Sequence, residues 1–267
     1  MRSFKDRSIV SIRDMTKDDL VKIVETTERV KQEGLSGFLS GKTIATLFFE
    51  PSTRTRLSFE SAVFKSGGAV FGIADPKASS LSKGESFADS IRTVSGYCDV
   101  IVIRHPVEGA ARMASEFSRR PVINAGDGAN QHPTQTFLDL FTIHEEFDTL
   151  SGLKVGMMGD LKYGRTVHSL THALAVFGNR LTFISPPTLR MPKNILKELD
   201  ERGIHYRITE SLEDSEDSGL DVLYVTRIQK ERFGDPQEYK KVAGTYRLTR
   251  ETIEMLGSDL RVMHPLP

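Results

Sequence analysis

The chain has 267 residues, which at ~150 residues per domain points to about two domains, and 36 Lys+Arg balance 36 Asp+Glu. Zero net charge excludes a nucleic-acid or anionic-membrane binder that relies on bulk charge, but it leaves room for a local arginine cluster around a small anion. Hydrophobic residues make up 38% and charged residues 27%, an ordinary globular mixture, and a single cysteine, Cys98, excludes an internal disulfide and a cysteine-only metal site.

No apolar run nears the ~18 residues of a membrane span. Met1 to Asp6 has no apolar signal core, so the expected compartment is cytoplasmic. Thr16 to Lys31 reads as an amphipathic helix, with Leu20, Ile23, Val24, Thr27 and Val30 at three- and four-residue spacing. An alternation then begins. Strands are expected at Thr43–Phe49, Ala69–Ile73, Asp99–Arg104 and Pro121–Asn124. Helices are expected at Thr53–Ser66, Ser86–Val94, Val107–Phe117 and Pro133–Phe147. Thr149 to Gly152 is a candidate joint, and the alternation restarts after it. Strands follow at Leu153–Met158, Leu181–Ser185, His205–Ile208, Asp221–Thr226 and Leu260–His264. Helices follow near Arg165–Phe177, Pro192–Arg202 and Thr249–Leu256. The expected fold class is α/β: two consecutive doubly wound parallel-sheet lobes with the active site in the cleft between them.

Ligands of open parallel sheets bind beyond the carboxyl ends of the strands. There the chain places Glu50 to Arg56, Arg104-His105-Pro106, Gly126-Asp127-Gly128 with Asn130 to Gln135, Asp160 to Arg165, Arg227 to Arg232 and His264 to Pro267. Ser52 is a plausible N-cap, with Thr53, Arg54 and Thr55 in the first helical turn. Free N–H groups, the helix dipole, hydroxyls and the Arg54 fork all suit an anion. A capped helix with surface arginines explains that segment about as well by itself. Arg104 at the same edge favours a dianion site. Pro133 suits the first helical position, which leaves Gln135 facing outward and His132 either capping the helix or acting on the ligand. Convergence with the arginines favours action for His132.

Other features carry less. Gly41-Lys42-Thr43 echoes a phosphate loop but precedes a strand, and Gly156 to Gly159 is not a dinucleotide fingerprint. His168 and His172 share a helix face without a third ligand, so a structural role is expected over a metal. Cys98 has no activating cation nearby in sequence and reads as an inert buried thiol.

Ser52-Thr53-Arg54-Thr55-Arg56 resembles the carbamoyl-phosphate motif of the aspartate/ornithine carbamoyltransferases. Arg104-His105-Pro106, His132-Pro133-Thr134-Gln135 and His264-Pro265-Leu266-Pro267 match that family in order and spacing, and the likeness covers essentially the whole chain. Ornithine enzymes carry cysteine at the position of Pro265 and a serine-methionine-glycine loop, which this sequence lacks. The cationic loop Arg227 to Arg232 is similar to that of the aspartate branch and suits a dicarboxylate.

The resemblance implies a carbamoyl-phosphate-binding domain over 1–148 and an aspartate-binding domain over 149–267. It implies transfer of the carbamoyl group to the α-amine of L-aspartate, giving N-carbamoyl-L-aspartate and phosphate, in de novo pyrimidine biosynthesis. By the same resemblance Ser52, Thr53, Arg54, Thr55 and Arg104 hold phosphate, joined by Ser80 and Lys83 from the neighbouring subunit of a homotrimer with shared sites. Thr55, Arg104 and His132 donate to the carbonyl oxygen, while Gln135 and the carbonyls of Pro265 and Leu266 orient the carbamoyl amine. Arg165, Arg227 and Gln229, with Lys83, bind aspartate. No metal or cofactor is implied, and whether a regulatory chain binds stays open. Glu50, beside the phosphate loop, could pair with Arg165 or Arg232 and hold the lobes together. Family members continue beyond the position of Pro267 with an arginine-valine-aspartate segment and a further helix, so the expectation is a truncated or naturally short form.

Overall fold

The computed structural model describes residues 3–73, 84–212, 219–228, 237, 239, 246, 248–257 and 259–266. Contacts divide the chain into two compact units, Met1–Phe141 and Thr142–Pro267. Among the described residues no helix is long and apolar enough to cross a membrane.

The first unit opens with α1 (Lys17–Glu33). Thr16 Oγ1 accepts the Asp19 N–H and an Asp19 oxygen accepts the Thr16 N–H, a reciprocal cap that fixes where the helix starts. Burial alone would raise the Asp19 carboxyl, but the Thr16 N–H and the Arg7 guanidinium outweigh it and hold it below its usual value. There follow β1 (Thr43–Phe48), α2 (Thr53–Lys65), β2 (Ala69–Ile73), α3 (Phe87–Ser95), β3 (Val100–His105), α4 (Ala110–Phe117), β4 (Val122–Asp127) and α5 (Pro133–Phe147), whose last residues enter the second unit. The four strands are parallel, in the order β2-β1-β3-β4.

Strand alternation builds a core on both faces of this sheet. Ala45, Leu47 and Phe49 pack with Ile91 of α3 and with Ala111 and Ala114 of α4. Ile44 and Phe48 pack with Phe59 and Val63 of α2. Beside β4 lies the segment around Ile9: its N–H donates to the Val122 carbonyl at 2.8 Å and its carbonyl accepts the Asn124 N–H at 2.9 Å.

Two boundaries differ from expectation by three residues, the others by two at most. β4 continues to Asp127, because a register shift after Ile103 brings His105 level with Asp127. Helix α4 starts at Ala110 instead of Val107, after Gly109 at φ 80°.

The second unit holds β5 (Lys154–Met158), α6 (Arg165–Val176), β6 (Arg180–Ile184), α7 (Lys193–Glu201), β7 (Tyr206–Thr209), β8 (Val222–Val225), α8 (Arg250–Leu256) and β9 (Arg261–Met263). Its strands are parallel in the order β7-β6-β5-β8-β9. Met158, Ile184 and Leu223 pack with Leu256 of α8. On α6, Val167 to Ala175 are all buried, and Thr171 Oγ1 meets Met157 Sδ of β5 at 3.2 Å.

Both sheets reverse their winding once. The chain runs from β1 out to β2, then crosses to β3 on the other side of β1. It runs from β5 out through β6 to β7, then crosses to β8 on the other side of β5. At such a reversal the loops leaving two neighbouring strands part in opposite directions and leave room for a ligand.

Candidate active site

In the first unit the reversal brings the end of β1 beside the end of β3. Phe48 is level with Arg104, and the Phe49 N–H donates to the Arg104 carbonyl at 2.8 Å. The chain then turns through Glu50 and Pro51 into α2. Ser52 holds the N-cap place, but its hydroxyl makes no capping bond. The expected side-chain cap is thus absent, and the first-turn N–H groups of α2 keep their capacity for an external acceptor.

The two arginines of the Ser52–Arg56 run have different employment. Arg56 Nε donates to Glu60 Oε1 at 2.7 Å, and the same oxygen accepts Thr46 Oγ1 at 3.1 Å, so Arg56 ties α2 to β1. Arg54 is exposed and among the described residues has no hydrogen-bond or ion-pair partner. Arg104 is largely buried. Its Nε lies 3.0 Å from Glu50 Oε2 in an ion pair, and its Nη1 reaches the Ala125 carbonyl at 3.3 Å. Glu50 thus has a partner within its own unit, and this pairing orients Arg104 beside the α2 N-terminus. Arg232 lies outside the described residues.

His105 is wedged edge-on between Phe49 and Phe87, each ring centroid 5.3 Å away, and its Nδ1 accepts the Val107 N–H at 3.0 Å. Burial lowers its pKa, while the carboxylates of Asp127 and Glu50 pull the other way.

β4 delivers the next group. His132 is buried, and its Nδ1 lies 3.4 Å from both the Gln135 N–H and Thr134 Oγ1. Its Nδ1 therefore serves the α5 N-terminus as an acceptor, which assigns the ring proton to Nε2. Capping and action on a ligand are compatible, because they use different nitrogens. Gln135 departs from expectation. It does not face outward but is half-buried along α5, with Nε2 donating to the buried Asp139 at 3.0 Å. That bond makes its Oε1 the remaining acceptor.

In the second unit the reversal joins the ends of β5 and β8. The Thr226 N–H donates to the Met158 carbonyl at 2.8 Å, and Thr226 Oγ1 accepts the Asp160 N–H at 3.0 Å. Gly159 sits at φ 115°, where a Cβ would meet the Thr226 carbonyl at 2.3 Å, so only glycine fits this approach. The following loop is held from within. Asp160 Oδ1 accepts the Tyr163 N–H at 2.9 Å, and His168 Nε2 bonds the Leu161 carbonyl at 2.8 Å. Arg165 opens α6 from this loop, and Arg227 is exposed just past β8.

His168 and His172 are buried, the latter with Nδ1 3.6 Å from Glu198. Cys98 is buried too, and burial raises its thiol pKa. Beyond β9, next to β8 in the sheet, the Leu266 N–H donates to His264 Nδ1 at 2.8 Å, which sets a turn that includes Pro265 and Leu266. His264 has its pKa lowered by burial and by the charge of Arg227.

The first unit thus gathers Ser52, Thr53, Arg54, Thr55, Arg104, His132 and Gln135 at the ends of β1, β3 and β4. The second gathers Arg165, Arg227, Pro265 and Leu266 at the ends of β5, β8 and β9. Ser80, Lys83 and Gln229 lie outside the described residues.

A parallel α/β unit with an anion-ready helix N-terminus, followed by a second with arginines at its own reversal, defines a two-domain enzyme class that handles anionic substrates. Residues 7–145 match the profile described as aspartate/ornithine carbamoyltransferase, carbamoyl-P binding domain, and residues 151–267 match that family's Asp/Orn binding domain. The chain belongs to the aspartate/ornithine carbamoyltransferase family. It is 56% identical over 275 residues to the aspartate carbamoyltransferase catalytic subunit of Methanopyrus kandleri, across 100% of this chain and 87% of that protein. The catalytic subunit of Methanocaldococcus jannaschii aspartate transcarbamoylase superposes with a TM-score of 0.86 at 51% identity, over 98% of this chain and 86% of that one. The Trypanosoma cruzi aspartate transcarbamoylase in complex with carbamoyl phosphate and aspartate gives 0.89 at 36% identity, over 98% and 86%.

Proposed function

We propose that this chain transfers the carbamoyl group from carbamoyl phosphate to the α-amine of L-aspartate, releasing N-carbamoyl-L-aspartate and phosphate. The observation that carries this is the uncommitted Arg54 on an uncapped helix N-terminus next to an Arg104 already aimed by Glu50. Such a cradle suits a phosphate that must become a leaving group. Residues 1–148 would hold carbamoyl phosphate and 149–267 aspartate, with Arg165, Arg227 and Gln229 on its carboxylates.

The amine attacks the carbonyl carbon, the carbonyl oxygen takes up negative charge, and phosphate departs from the tetrahedral intermediate. Thr55, Arg104 and the Nε2–H of His132 are donors for that oxygen. The Oε1 of Gln135 and the carbonyls of Pro265 and Leu266 accept from the carbamoyl amine. Orientation and electrostatics carry the rate, since phosphate is a good leaving group.

The same proposal places the enzyme in pyrimidine biosynthesis in the cytoplasm, as a homotrimer in which Ser80 and Lys83 complete a neighbour's site. Initial rates with carbamoyl phosphate and either aspartate or ornithine test the substrate. Carbamoyl aspartate should form, and a preference for ornithine would overturn the assignment. The shared site is tested by reassembling equal amounts of Arg54→Ala and Lys83→Ala chains. About three quarters of rings are mixed and each regains one whole site of three, so about one quarter of wild-type activity should return. No return would place both residues in one chain's own site.

A further inference from the structure

Asp127 closes β4 and is 2% exposed. Among the described residues each of its carboxylate oxygens accepts two hydrogen bonds. Oδ1 takes the Asn124 Nδ2 at 2.9 Å and the Gln131 N–H at 3.1 Å. Oδ2 takes the Gly109 N–H at 2.8 Å and the Asn130 Nδ2 at 3.0 Å. Four donors fill the acceptor capacity of a carboxylate.

Two of these donors lie on different loops. Gly109 ends the turn that follows Arg104 and precedes α4, and Gln131 immediately precedes His132. The main chain ties the same loops together. The Gly128 N–H donates to the His105 carbonyl at 2.9 Å and the Asp127 N–H to the Gln131 carbonyl at 3.2 Å. Gly128 stands at φ 54°, and a Cβ there would lie 2.6 Å from Glu108 Cγ and 3.0 Å from the Pro106 carbonyl, so the loops meet almost backbone to backbone. Gln131 carries the tie further, since its Oε1 accepts the Ile12 N–H at 3.2 Å.

We infer that Asp127 is a positioning residue, one that clamps the loop after Arg104 to the loop before His132 and so fixes the spacing between phosphate-binding and carbonyl-polarising groups. This rests on the carbamoyl-transfer assignment above. A neutral amide cannot replace the clamp. In Asp127→Asn one oxygen becomes an NH₂ that faces donors, and a buried N–H on one loop or the other loses its acceptor. With four donors on its carboxylate, Asp127 has no acceptor capacity left for a substrate.

The test compares Asp127→Asn with Asp19→Asn, a buried carboxylate of the same unit whose partners are Thr16 and Arg7. Folded fraction is measured by circular dichroism, and binding of inorganic phosphate by calorimetry. In folded Asp127→Asn, kcat should fall ~10–100-fold, as for a displaced catalytic constellation. KM for carbamoyl phosphate and Kd for phosphate should rise roughly tenfold, and KM for aspartate should stay within about twofold. Asp19→Asn should lower Tm and leave KM and Kd unchanged. Equal effects of the two variants, or unchanged constants in folded Asp127→Asn, would overturn the inference. If Asp127→Asn does not fold, Asn130→Ala decides. It removes one donor from the same carboxylate and should shift phosphate affinity in the same direction by about twofold to fivefold, and an unchanged affinity rejects the clamp. If wild-type chain binds phosphate but transfers no carbamoyl group, the assigned reaction fails, while the phosphate constants still decide the role of Asp127.

Discussion

Replacing Arg54 with alanine should separate function from stability. Arg54 is exposed, has no partner among the described residues, and sits in the first turn of α2. A cation there opposes the helix dipole, so its removal should stabilise α2 by about 0.3–1 kcal/mol. At roughly 2–4 °C per kcal/mol for a chain of this size, Tm should rise by ~1–4 °C or stay level. Turnover should move the other way. Loss of one preorganised charge contact to a leaving phosphate costs ~10²–10³ in rate. The assay is initial velocity at saturating carbamoyl phosphate and aspartate, alongside a thermal melt. A near-normal kcat would reject the phosphate assignment. A fall in Tm that tracks the fall in rate would instead mean that Arg54 holds the fold.

Three further outcomes are expected. Arg227→Ala should raise KM for aspartate strongly and leave that for carbamoyl phosphate nearly unchanged, because Arg227 and the α2 cradle belong to different units; an equal rise in both would contradict the division. His105 has a native pKa below its ordinary 6.5, so its contribution to stability is complete above that pH and is lost as pH falls from 6.5 toward the lowered native value. Urea unfolding between pH 7.5 and 5 should record that loss, and His105→Asn should flatten it. Cys98, buried and with its thiol pKa raised, should react with a disulfide reagent at once in denaturant but otherwise only as fast as the protein unfolds. Rapid labelling of the native chain would place it at an accessible surface.

The elements were largely legible because β1, β3 and β5 are buried on both sides and read as short apolar runs between turn residues. Strand order was not, since no local pattern says that β3 lies against β1 or β8 against β5. Ser52 shows the limit of local chemistry at the candidate site. The residue type predicts a capping hydroxyl, and the structure leaves that hydroxyl out of the cap. Gln135 is found as a residue but not as geometry, because its partner Asp139 is set by packing. Asp127 is legible as a strand-end residue but not as a clamp. Between two glycines it reads as a turn residue, and the signal that could have found it is faint: Asn124 and Asp127 are polar groups on a strand otherwise meant for a core.

The segment around Ile9 raises a question of time. It is made well before the strand it lies against: Asn124 Nδ2 bonds the Val10 carbonyl across 114 residues. At ~5–20 residues per second that interval is roughly 6–23 s. For that period these residues have no permanent seat, and the outer margin of β4, once made, offers unpaired amides to any extended chain nearby. The N-terminal stretch therefore acts as a latch fastened after the rest of its sheet exists. The entropy of closing so wide a ring grows only with the logarithm of its length, so the delay falls on kinetics far more than on final stability.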